Sequence, residues 1–192
     1  MTNDEYFAYA QTRITPNKEK EVGEKTLEAV VKTHISRLAY NGYKIDEPKI
    51  IEAVIEYTKG YGIMLAGAVG IGKTHFFKCI NPDIVVLDMN LAVRWDYSTL
   101  ESFLIGVKDR ELLVDDIGVS SGIASDYGLR YDALLLILNA RYLCRKATHF
   151  TTNLSNEQLI SAYDYRSVDR IYGLAKVFNL PARMSRREPR RY

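Results

Sequence analysis

Polar and apolar positions change their period once along this chain, near residue 60. Before that point Leu27, Val30, Val31, His34, Ile35 and Leu38 fall three or four apart, which predicts an amphipathic helix ended by Asn41-Gly42. Ile50, Ile51, Val54 and Ile55 predict a second helix, with Asp46 as its cap and Gly60 as its stop. From Tyr61 onward short apolar runs alternate with helical stretches. The runs are GIMLAG, DIVVLDM, ELLVDDIG and ATHFTTNLS, with a further short strand expected at 176–180. Helices are predicted over 74–80, 98–107, 131–146, 155–163 and 166–174. Such alternation signals a parallel sheet flanked by helices. The expected fold is therefore α/β, with a short helical extension at 1–59 and a main domain at 60–192. The segment 119–130 reads as a flexible connection.

One segment adds specific chemistry to this pattern. GAVGIGKT, residues 67–74, fits the phosphate-binding spacing G-x-x-x-x-G-K-[ST], and it follows an apolar strand and opens a helix. Glycines at Gly67, Gly70 and Gly72 let successive backbone N–H groups turn inward, together with those of Ala68, Val69 and Ile71, at a helix N-terminus that favours anions. Lys73 is placed to neutralise the β- and γ-phosphates of ATP, and Thr74 to offer its hydroxyl to Mg²⁺. His75, the next residue, completes the expected nucleotide-binding set.

ELLVDDIG ends an apolar strand with two carboxylates, at the sheet edge where ligands of such folds bind. Asp115 is the expected Mg²⁺ partner, and Asp116 is placed to orient or deprotonate an attacking water. Asn153 ends another apolar strand, where a side-chain amide can bridge that water and the γ-phosphate; Ser155 can cap the helix that follows.

Composition excludes more than it identifies. The chain has 192 residues, enough for one well-buried core, and a formal net charge of +2, so any grip on nucleic acid must come from local clusters. The C-terminal ARMSRREPRRY is such a cluster, in which Arg183, Arg186, Arg187, Arg190 and Arg191 are set to hold phosphates and Tyr192 to stack on a base. Cys79 and Cys144 lie far apart, and His34, His75 and His149 are scattered, so neither a disulfide framework nor a zinc site is expected. No run approaches a membrane span, and a cytoplasmic protein without membrane contact is expected.

GKTH at 72–75, LLVDDIG at 112–118, Asn139-Ala140-Arg141-Tyr142, TTNLS at 151–155 and VDRI at 168–171, in that order, resemble the DnaC/IstB family of AAA+ ATPases. That family comprises bacterial and phage helicase loaders and transposition-helper ATPases, and the resemblance covers about residues 60–190. It implies an initiator-clade AAA+ P-loop NTPase, a three-layer αβα sandwich that forms an ATP-dependent homo-oligomer on single-stranded or duplex DNA. It also implies a replicative helicase or a transposase as partner. By matching positions, Arg170 resembles the arginine finger that enters a neighbour's site, with Arg166 one turn away as the alternative. Arg187 resembles the sensor 2 arginine, and Arg186 competes with it. An ATPase that loads helicase in DNA replication is the leading reading. An IstB-like transposition helper and a non-catalytic module switched by ATP are the alternatives.

Overall fold

The computed structural model describes residues 24–126, 129–144 and 146–181. Two helices come first, α1 (Glu24–Tyr40) and α2 (Pro48–Thr58). Five strands then carry the apolar runs: β1 (Gly62–Ala66), β2 (Val85–Asp88), β3 (Leu112–Ile117), β6 (Thr148–Thr152) and β7 (Ala175–Asn179). They form one sheet in the order β2-β3-β6-β1-β7, and every adjacent pair is parallel. The connecting helices are α3 (Lys73–Ile80), α4 (Met89–Ala92), α5 (Tyr97–Gly106), α6 (Ala133–Cys144), α7 (Asn156–Ala162) and α8 (Tyr165–Leu174).

Alternation along the strands builds two cores. Met64, Leu112, Val114 and Phe150 pack on one side with Leu100 and Leu104 of α5, Leu134 and Ile137 of α6, and Val168 and Ile171 of α8. Ile63, Leu65 and Leu113 point to the other side, against Leu38 of α1, Ile50 and Val54 of α2, and Phe76 and Phe77 of α3. The first crossover runs from β1 to the edge strand β2, and the later ones run back the opposite way. Because parallel crossovers keep one hand, that reversal sends α3 to one face and α5, α6 and α8 to the other. The expected three-layer α/β sandwich is the architecture observed, with α1 and α2 extending the layer that contains α3.

Two local expectations are corrected. Asp46 does not cap α2: Glu47 holds that position without a side-chain cap, and Pro48 starts the helix, since a proline at the first turn gives up an N–H that has no helical partner anyway. The segment after β3 is not an unstructured connection. It forms a hairpin, β4 (Ile123–Asp126) with β5 (Leu129–Asp132), and β5 takes Tyr131 and Asp132 from the predicted start of α6. Ser155 does cap α7, in a reciprocal box with Gln158. Among the described residues no helix is long and apolar enough to cross a membrane.

Arg141, on the last turn of α6, is 1% exposed. Its guanidinium donates to Thr148 Oγ1 at 2.9 Å, Val107 O at 3.0 Å, Arg110 O at 2.8 Å and Ala147 O at 3.2 Å. It thereby ties α6 to the approach to β3 and to the start of β6, and satisfies carbonyls that water cannot reach. Arg141→Met keeps much of the volume but strands those acceptors. The expected loss is about 2–4 kcal/mol in urea unfolding; a loss below about 0.5 kcal/mol contradicts this role.

Candidate functional site

A parallel sheet brings the carboxyl ends of its strands to one edge, and in this order β6 lies between β1 and β3. The ends of these three strands supply the P-loop, Asn153 and the acidic pair. The P-loop turns from β1 into α3 through Gly67, Gly70 and Gly72, all with positive φ. A Cβ at Gly67 would stand 2.7 Å from Ile71 Cδ1 and 3.0 Å from Leu180 O, so only glycine fits there. Gly72, at φ 96°, is the N-cap of α3. Val69 is exposed, whereas Ile71 is buried and Ala68 packs beside the same core, so the loop is anchored while its crest faces solvent.

Lys73 and Asn153 meet directly. Lys73 Nζ donates to Asn153 Oδ1 at 2.7 Å and to the P-loop carbonyls of Gly67 at 2.8 Å and Ala68 at 2.9 Å. Thr74 Oγ1 donates to the Asp115 carboxylate, 2.9 Å from Oδ1 and 3.0 Å from Oδ2. The structure thus brings together Lys73, Thr74, Asp115 and Asn153, drawn from three strand ends. His75 turns its ring elsewhere: Nε2 lies 3.2 Å from Asn41 O, and the ring stacks on that of Tyr43 with centroids 6.1 Å apart. Tyr43 also lies over the P-loop, 3.1 Å from where a Cβ on Gly72 would be.

The acidic pair sits on a bulge. Val114 pairs with Phe150 and Ile117 with Thr152, so Asp115 and Asp116 together face the single residue Thr151. Asp116 takes φ 57°, a left-handed conformation that aspartate tolerates better than most side chains. Thr151 fills the mismatch: its hydroxyl donates to Asp115 Oδ1 at 2.5 Å and accepts the Asp116 N–H at 2.8 Å. Thr152 Oγ1 donates to Ile117 O at 2.7 Å, closing the bulge on its far side. Neither threonine is among the expected site residues. The TT before Asn153 was the visible signal, for hydroxyls inside an apolar strand need partners.

Arg170 is half-buried on α8, with its Cζ 6.0 Å from the centroid of the Tyr142 ring on α6. Its Nη1 is buried with no hydrogen-bond partner among the described residues. Arg166 is exposed on the same helix. Of the tyrosines in this half of the chain, Tyr172 is buried and Tyr165 is exposed. Arg187, with Arg183, Arg186, Arg190, Arg191, Tyr192 and Tyr127, lies outside the described residues.

Fold and strand-end residues together define the three-layer α/β fold of P-loop NTPases. No family model and no curated protein matches the chain. Among solved structures it is similar to DnaI, at 23% identity and a TM-score of 0.56, over 71% of this chain and 87% of that one. It is also similar to AMPPCP-bound DnaA from Aquifex aeolicus, at 18% identity and a TM-score of 0.55, over 72% of this chain and 49% of that one. These likenesses agree with the resemblance to DnaC/IstB-like AAA+ proteins and, at such identities, establish the fold.

Replacing Thr151 by Val keeps the shape and removes both bonds to the bulge. The expected destabilisation is about 1–3 kcal/mol in urea unfolding, with Thr151→Ser recovering most of it. A valine variant as stable as wild type contradicts the clamp.

Proposed function

We propose that this chain binds and hydrolyses ATP, and that it acts in DNA replication in the manner of DnaC-type helicase loaders, as an ATP-dependent oligomer on DNA. The observation that carries the reading is the hydrogen-bonded array of Lys73, Asn153, Thr74 and Asp115 at one strand edge. The likeness to DnaI and to AMPPCP-bound DnaA supports it at the level of the fold.

In this reading the N–H groups of 67–74 cradle the phosphates at the N-terminus of α3, and Lys73 neutralises the β- and γ-phosphates. Asn153, already bonded to Lys73, contacts the γ-phosphate and orients water. Asp116 accepts the water's proton or aligns its lone pair, on a backbone that Thr151 holds in place. The paired hydroxyl of Thr74 and carboxylate of Asp115 form an all-oxygen donor set, which suits a hard cation such as Mg²⁺. A Mg²⁺ held by Thr74 and Asp115 would supply charge neutralisation for the phosphates. Catalysis by such a site is mostly positioning and electrostatics.

Arg170 is proposed as the finger that enters the neighbouring subunit's site, where a planar, permanent charge pairs with phosphate oxygens. Its Nη1, which has no hydrogen-bond partner among the described residues, and its place beside Tyr142 support Arg170 over the exposed Arg166. Arg187 is proposed as the sensor 2 arginine and His75 as a P-loop neighbour of the nucleotide, both from the family resemblance. A replicative helicase is the proposed partner and the cytoplasm the proposed location.

Mixing two variants tests the shared site. Lys73→Ala and Arg170→Ala are each expected to lose ATP turnover, on the order of a hundredfold or more, and to regain part of it when combined, because intact sites then form between unlike subunits. Arg170→Ala turning over ATP like wild type at every protein concentration contradicts the assignment of the finger.

A further inference from the structure

The segment that follows Asp116 is held by a side chain from 45 residues further along the chain. Tyr163, the C-cap residue of α7, is 8% exposed. Its hydroxyl accepts the N–H of Gly118 at 2.6 Å and donates to the carbonyl of Ser120 at 3.0 Å. Its ring lies against Gly122, where a Cβ would stand 3.2 Å from Cε1. One phenol therefore touches three alternate residues on the path from Asp116 to β4. Only a protonated hydroxyl can accept and donate at once, and burial pushes the Tyr163 phenol up, so it keeps its proton.

That segment needs an external tie. Asp116, Gly118 and Gly122 all have positive φ, so it has no regular ladder of its own through the turn. Thr151 fixes the Asp116 N–H on one side, and Tyr163 fixes Gly118 on the other. Tyr163 is also joined directly to the helix that carries Arg170. Asp164 caps α8, its carboxylate accepting Ser167 N–H at 2.8 Å and Ser167 Oγ–H at 3.2 Å, which stiffens the junction.

We propose that Tyr163 is a positioning residue for ATP hydrolysis, a strut whose hydroxyl sets the turn that follows Asp116 and links that turn to the start of α8. The inference rests on the hydrolytic reading above and assigns Tyr163 no contact with ATP.

Tyr163→Phe keeps the ring against Gly122 and removes only the hydroxyl. Steady-state ATP hydrolysis by the whole chain, nucleotide affinity and thermal melting are measured on wild type and variant. The expected result is a fall in kcat on the order of tenfold, with KM and nucleotide affinity near wild type and a melting temperature lower by only about 2–4 °C. A kcat within about twofold of wild type overturns the strut. A fall in kcat matched by equal falls in affinity and melting temperature also overturns it, because the hydroxyl then supports the fold as a whole. Wild-type protein without turnover sinks the hydrolytic reading, and the strut with it, whereas an active wild type beside an equally active variant sinks the strut alone.

Discussion

Two residues of β3 face one residue of β6, and the hydroxyl of Thr151 occupies the mismatch. Much of the strand edge depends on that contact. A regular ladder would carry Asp115 and Asp116 to opposite faces of the sheet, as successive residues of a strand must lie. Asp115 shares the α3 side with Leu113, against Thr74, and the bulge turns the backbone at Asp116 into the left-handed region. Thr151 bonds both residues, one through its carboxylate and one through its N–H, so the acidic pair has a fixed relation to β6. Two positions on, the same strand delivers Asn153 to Lys73.

The order of strands explains why these residues can meet at all. Lys73 follows β1, the aspartates end β3, and β6 lies between them, so Asn153 stands on the strand that separates the P-loop from the acidic pair. Apolar cores on both faces hold the strands in register, and Arg141 secures the approach to β3 and the start of β6 through four hydrogen bonds. The site is therefore the exposed end of a rigid layer. Beside it runs the irregular turn from Asp116 to the β4–β5 hairpin, where Gly118 and Gly122 take positive φ and Tyr163 supplies bonds to Gly118 and Ser120.

What the sequence made legible follows from how local each constraint is. The P-loop is readable because its glycines, lysine and threonine act within eight consecutive residues, and the strand before it and helix after it appear where the periodicity puts them. Asp115, Asp116 and Asn153 are readable because each ends an apolar run. The partners of Thr151 and Tyr163 are not, since they lie 35 and 45 residues away and depend on cross-strand register and helix packing. The hairpin escaped because four-residue strands rich in serine and glycine nearby carry little periodic signal, and β5 borrows Tyr131 and Asp132 from an apolar helix pattern. Asp46 failed as a cap because Pro48 fixes the helix start one residue later than aspartate would need.

As proposed above, this strand edge is a hydrolytic site, with Asp116 acting on water while its neighbours bind nucleotide. ATP binding and turnover of Asp116→Asn, compared with wild type in Mg²⁺, test it most directly, since asparagine keeps the size and the tolerance for a left-handed backbone but cannot take the proton. A hydrolytic Asp116 predicts nucleotide affinity close to wild type and turnover reduced on the order of a hundredfold or more. Turnover preserved in the variant, or lost only because ATP no longer binds, would contradict it.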